Sequence, residues 1–190
     1  MSTGYIPDPT ALRAGKLLIA EPFMPDPNFF RTVILLCEHG EEGTVGFVMN
    51  RPTDLVIGKI FPESEMASLG VYQGGPVQLD TICILQRTEA SETGHEVMPG
   101  IYWGSAFESL EEEISAGVKT LADVQFYLGY SGWGEGQLVA ELQSGNWLVA
   151  DATAELIFET PREDLWRTAL ETLGDGYKNL ANLPPDPQLN

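Results

Sequence analysis

Two side chains in this sequence have the chemistry for acyl transfer, His39 and Ser131. A serine hydroxyl becomes a nucleophile only when a base within hydrogen-bond reach takes its proton. Ser131 lies in Gly129-Tyr-Ser-Gly-Trp-Gly-Glu-Gly-Gln-Leu138, where glycines fall at 129, 132, 134 and 136 around Trp133. The apolar run Val124 to Leu128 precedes this stretch, and the helix-like run Gln137 to Leu142 follows it. Strand, glycine turn and helix in that order form a common ligand cradle in α/β proteins. Glycine permits positive φ there and lets a partner approach the backbone.

Three known motifs come close to this stretch and fail on chemistry. A P-loop needs lysine after its second glycine, and Glu135 stands there, where a carboxylate would repel phosphate. The dinucleotide pattern fits Gly132 and Gly134 but meets Gln137 where its third glycine belongs. A nucleophile elbow needs glycine two residues after the serine, and Trp133 occupies that place. The residues alone therefore read as a tight strand-to-helix connection packed under Trp133.

Other segments could join this one in a binding site. Asn50-Arg51-Pro52 ends a strand-like run. Proline holds Arg51 extended, and the planar guanidinium fork suits a carboxylate or phosphate; an ion pair with one of the chain's acids is the competing use. Gly74-Gly75-Pro76 offers backbone N–H groups, or a sharp turn at a sheet edge. These segments each end an apolar run, so the expected site gathers Asn50, Arg51, Gly74, Gly75, Ser131, Trp133 and Gln137 at neighbouring strand ends. Such a lining suits a small polar ligand or an extended peptide. No metal or cofactor signature accompanies it. There are two histidines, His39 and His95, and Cys37 and Cys83 lie in apolar runs with no C-x-x-C, so the expected state is two buried free thiols. Glu108 and Glu111 to Glu113 read as a solvated helix face.

Composition narrows the partners. The chain has 190 residues, 28 acidic against 10 basic, and a net charge of −18. No two cations are adjacent, and none form a stripe on one predicted helix. Nucleic-acid binding needs a basic footprint that neutralises phosphates, so neither nucleic acid nor an anionic membrane is expected as a partner. The longest apolar run, Val33 to Cys37, is far too short to span a bilayer. No apolar leader is visible, and cytoplasm is the expected location.

The elements that must position these residues can be read coarsely. Residues 1–14 read as an arm, 183–190 as a proline-rich tail, and the whole chain as one domain. Lys16 to Ala20, Thr32 to Glu38, Thr44 to Met49, Val71 to Tyr72, Thr81 to Gln86, Val124 to Leu128 and Trp147 to Ala150 read as strands, with Ile101 to Trp103 extended. His39 to Gly43 reads as the turn of a hairpin, and residues 88–96 as polar loop. Leu55 to Phe61, Ser109 to Ala116 and the run from Gln137 read as short helices. Thr160-Pro-Arg-Glu163 has the form of a capping box opening a helix from Pro161 to Leu173 that buries Trp166 and Leu170, with Gly174 closing it. Short strands with fewer helices and early hairpins predict an α+β fold with a mixed, mainly antiparallel sheet.

Several segments together resemble the AlgH/YqgE family of bacterial proteins. They are Gly15 to Pro22, Cys37-Glu-His39, Gly46-Phe-Val-Met-Asn-Arg-Pro52, Gly74-Gly-Pro-Val77, Gly129 to Leu138, Asn146-Trp-Leu148 and Asp186-Pro-Gln-Leu-Asn190. They occur in the family's order and cover essentially the whole chain. One departure is Val139, where the family usually carries an acid. The resemblance implies a bifurcated sheet partly closed into a pseudo-barrel with flanking helices. It implies no particular activity, and the family's name reflects a suggested part in transcriptional regulation. With this charge, such a part would run through a protein or small-molecule partner. The expected function is therefore a non-catalytic binding or adaptor protein for a small polar ligand or a protein; the alternative is a hydrolase using Ser131 and His39.

Overall fold

The structure, a computed structural model, describes residues 7–91 and 93–182. Expectations for residues 1–6 of the arm, for the 183–190 tail and for the closing Asp186 to Asn190 motif lie outside the described residues. Among the described residues, ten strands and five α-helices make an α+β fold. In chain order the strands are β1 Lys16–Ala20, β2 Val33–Gly40, β3 Gly43–Val48, β4 Pro52–Val56, β5 Gly70–Gln73, β6 Val77–Arg87, β7 His95–Met98, β8 Ile101–Trp103, β9 Val124–Trp133 and β10 Trp147–Asp151. The helices are α1 Phe107–Ser115, α2 Gln137–Gln143, α3 Ala154–Phe158, α4 Leu165–Glu171 and α5 Asp175–Ala181.

The continuous apolar runs become strands covered on both faces. Leu17, Ile19, Leu35 and Cys37 face one core with Trp166 and Leu170. Leu18, Ala20, Ile34 and Leu36 face a second core with Leu12, Trp133 and Trp147. A third, smaller core packs Leu110 of α1 against Val71, Ile84 and Phe126. Each fully buried aliphatic side chain contributes about 2 kcal/mol by leaving water.

The strands run β10-β1-β2-β3-β9-β6-β8-β7 in space, and no pairing among the described residues joins β10 to β7, so the sheet is not closed. Among the described residues all pairings are antiparallel except β5 with β9. The sheet splits at β9. Phe126, Tyr127 and Leu128 pair with β5 on one edge and with β6 on the other. Further along, Ser131, Gly132 and Trp133 pair with Gly46, Val45 and Thr44 of β3. The three residues joining β5 to β6 must therefore cross the face of β9.

That crossing explains the glycines. A Cβ on Gly75 would lie 2.2 Å from the Tyr130 carbonyl carbon and oxygen, and one on Gly129 would lie 2.5 Å from the Val77 oxygen. Two backbones touch here with no side chain between them. The stretch expected to be a glycine turn from 129 onward is thus strand as far as Trp133, and the turn proper is residues 134–136.

Other differences have local causes. β2 runs on through His39 to Gly40, leaving a tight turn at Glu41 and Glu42, because His39 pairs with Thr44 across the hairpin. The segment expected as helix from Leu55 to Phe61 is β4 followed by a single 3-10 turn, Ile57–Lys59, because Pro52 and Val56 pair with Tyr72 and Gly70 of β5. The polar 88–96 segment ends in β7, whose Glu96 pairs with Tyr102. Leu12, near the end of the expected arm, is buried in the second core.

The expected capping box does not form. α4 starts at Leu165 with Asp164 at its N-cap position, while Thr160 donates its hydroxyl to the Glu155 carbonyl at 3.3 Å. Trp166 and Leu170 are buried as expected. The working cap lies upstream, where Thr153 accepts from Leu156 N and opens α3. Thr153→Ala is expected to cost about 1 kcal/mol, and Thr160→Ala less than about 0.5 kcal/mol. Thermal unfolding of the two variants checks the order; a larger loss at Thr160 contradicts it.

Candidate functional site

The expected site residues fall into three places. The first is the strand crossing. Gly74 donates its N–H to the Leu128 carbonyl at 2.9 Å, and its own carbonyl accepts from Val48 N at 2.8 Å. The Ser131 hydroxyl donates to the same carbonyl at 3.2 Å, and Ser131 is fully buried. Gly74, Gly75 and Ser131 come together on one another. Their polar groups hold β3, β5 and β9 together.

The second place is the start of α2. Trp133 is buried in an aromatic group with Phe29 and Trp147, at ring separations of 6.4 and 6.2 Å. Its indole N–H donates to Glu141 Oε2 at 3.0 Å, and that of Trp147 donates to the same oxygen at 2.8 Å. Gln137 accepts from Gly134 N and donates to Glu141 Oε1. Gln137 thus fixes the turn into α2, and Trp133 forms core as well as the edge of a hollow rimmed by Glu38, Glu42 and Thr44. Sequence reasoning missed Glu141. Its position one helical turn after Gln137 was the available signal.

The third place is a cleft at the β3–β4 link, lined by Met24, Phe30, Arg31, Asn50 and Arg51, with a volume of about 530 Å³. A smaller hollow of about 30 Å³, lined by Asn28, Gln73, Gly75 and Arg51, adjoins it. Arg51 borders both. Asn50 is the scaffold: its Oδ1 accepts from Val33 N at 3.0 Å, and its Nδ2 donates to the Arg31 carbonyl at 2.9 Å. These bonds pin Arg31 in a left-handed conformation at φ 53°. Positive φ is costly for a branched or long side chain and needs such support.

The two arginines are held differently. Arg31 lies 4.6 Å over the Trp166 ring, and burial pulls its pKa down; it remains a cation. Arg51 donates from Nη2 to the carbonyls of Pro27 at 3.0 Å and Phe30 at 3.3 Å. These acceptors are neutral, so among the described residues its charge is uncompensated. The expected competing use, an ion pair, is taken instead by Lys16, Arg87, Lys119, Arg167 and others.

His39 and Ser131 are not a catalytic pair in this arrangement. β3 lies between their strands, which sets them roughly 10 Å apart across the sheet and about 7 Å along it from the registers. His39 Nδ1 is 2.7 Å from the Thr44 hydroxyl, and the Ser131 hydroxyl is sealed. The thiols offer no replacement nucleophile. Cys37 is buried and Cys83 half-buried, and desolvation pushes both thiols up, Cys37 strongly. The α1 acids serve structure more than solvent: Glu111 accepts from Ser64 and Glu65, and Glu113 pairs with Lys119. No described helix is long and apolar enough to cross a membrane.

The fold and these segments place the chain among known proteins. It belongs to the AlgH-like family, whose model matches residues 17–178. It is 40% identical to a UPF0301 protein of Chlorobaculum tepidum, covering 94% of this chain and 96% of the relative. A UPF0301 protein of Cytophaga hutchinsonii is 39% identical, covering 94% and 100%. The solution structure of the AlgH protein from Pseudomonas aeruginosa superimposes with a TM-score of 0.72 at 33% identity, over 94% of this chain and 97% of that one. A Corynebacterium diphtheriae protein shares the fold, with a TM-score of 0.76 at 22% identity over 90% and 93% of the two chains.

Proposed function

We propose that this protein is a non-catalytic binding or adaptor protein that receives an anionic group, from a small polar ligand or a protein partner, in the Arg51 cleft. The observation that carries this reading is Arg51 itself. In a chain of net charge −18, this guanidinium stands where two hollows meet and spends its bonds on neutral carbonyls. An oxyanion would gain charge-assisted bonds there, while the chain's net charge of −18 would turn away polyanions. Any part in transcriptional regulation would then pass through the bound partner.

Titration with succinate and with inorganic phosphate, followed by amide and guanidinium NMR shifts, tests the cleft. Saturable movement of Arg51, Gln73 and Gly75 is expected, weakened at least about tenfold in Arg51→Gln. Absence of movement at these residues rejects the cleft. Duplex DNA should give no gel shift at physiological salt, since 10 basic against 28 acidic residues disfavour the counterion release that such binding needs. Sub-micromolar binding with a steep salt dependence would make this protein a direct regulator instead.

A further inference from the structure

A second cation lies apart from the Arg51 cleft. Arg162 stands in the turn between α3 and α4, the same Thr-Pro-Arg-Glu segment whose capping signature goes unused. Its guanidinium carbon is 5.0 Å over the Tyr72 ring. Its Nη1 is buried with no hydrogen-bond partner among the described residues. The side chain as a whole is half-buried, and its open edge borders a hollow of about 450 Å³.

A guanidinium drawn partly out of water without an acceptor is destabilised. Acceptors are close at hand and are not used. Glu159 and Glu163 border the same hollow. Glu159 is bound to Arg87 at 3.0 Å, and neither carboxylate is ion-paired with Arg162. The polar amide of Gln125 is also committed, donating to the Ile157 carbonyl and accepting from the Tyr127 hydroxyl. The rest of the wall is mixed: Leu121 and Phe158 give it apolar patches, while polar atoms make up the larger share of its open surface. The hollow thus combines one cation outside any ion pair with apolar patches in a mainly polar wall, in the size range of small-molecule sites.

We propose that this hollow is a binding site for a small organic acid with a short apolar body, its carboxylate on the open edge of Arg162 and its hydrocarbon against Leu121 and Phe158. Arg162 supplies the charge and Tyr72 fixes its plane by stacking. Glu159 and Glu163 at the rim repel multiply charged anions, which favours a single carboxylate over phosphate.

The test uses the full chain and four probes: benzoate, hexanoate, the neutral isostere benzamide, and inorganic phosphate. Amide shifts of Tyr72, Gln125 and Glu163 and the guanidinium signal of Arg162 are followed. Benzoate and hexanoate should give saturable shifts at these residues, with benzamide and phosphate at least about tenfold weaker. Arg162→Gln should weaken benzoate binding at least about tenfold, and Arg51→Gln should leave it unchanged. Benzamide binding as well as benzoate, phosphate binding as well as benzoate, or no saturable shift with either acid overturns the proposal. So does loss of benzoate binding in Arg51→Gln, which would assign the acid to the other cleft. If Arg162→Gln does not fold, the comparison of benzoate with benzamide on the unaltered chain decides alone.

Discussion

Replacing Glu141 with leucine is expected to lower the melting temperature by roughly 4–24 °C. One carboxylate oxygen accepts both buried indole N–H groups, from Trp133 and Trp147, and the other oxygen holds Gln137. Leucine leaves two donors with no acceptor in a packed aromatic core. Each such loss costs about 1–3 kcal/mol, and in a chain of this length 1 kcal/mol corresponds to about 2–4 °C. Glu141→Gln keeps a carbonyl in the same place and loses only charge assistance, about 1 kcal/mol. Calorimetry on the two variants separates the effects. An unchanged melting temperature in Glu141→Leu would mean that the indoles find other acceptors.

Gly75→Ala and Gly129→Ala are expected to prevent stable folding, with losses of at least about 4 kcal/mol. At Gly75 a methyl group would sit 2.2 Å from the Tyr130 carbonyl and 2.3 Å from Ser131 N. Both obstacles are backbone in the middle of a sheet, which has no room to yield. Gly129 adds a φ of +66° to its clash with the Val77 oxygen. Gly134, five residues on, is surrounded by open space, so Gly134→Ala is expected within about 0.5 kcal/mol of the parent. Soluble yield and denaturant midpoints check this contrast. A folded Gly75→Ala protein with an unchanged midpoint would refute the crossing as the reason for these glycines.

Much of the fold was legible because its signal is local. Lys16 to Ala20 and the apolar run before Cys37 announce strands by composition, and the hairpin they lead into needs only a short turn. The course of β9 past Leu128 was not legible. Gly129 and Gly132 look like turn residues in a sequence, and only the passage of Gly75 and Val77 against Gly129 shows why a strand would carry that glycine. The capping pattern at Thr160 failed for a related reason. A favourable local cap was overridden by the packing of a turn that turns Arg162 toward Tyr72, ninety residues earlier in the chain. Of the site, Arg51 could be singled out because an arginine before proline at a strand end is conspicuous. Arg162 could not, since its interest lies in an ion pair it does not make. Of the seven residues expected together, Arg51 and Gly75 border one hollow, while Ser131 is buried in the sheet and Trp133 and Gln137 are tied to Glu141 of α2, contacts that no short motif records.

The forked strand also bears on how this chain comes off the ribosome. β9 supplies the missing ladder for β3, β5 and β6, and β10 closes on β1 through Lys16 and Asp151. Until residues 124–151 have been synthesised, the earlier strands can form only local hairpins with bare edges. Such edges invite pairing with other chains, and sheets built from distant segments fold slowly. A fragment ending before β9 is therefore expected to expose bare strand edges and to aggregate or be degraded rather than to fold in part.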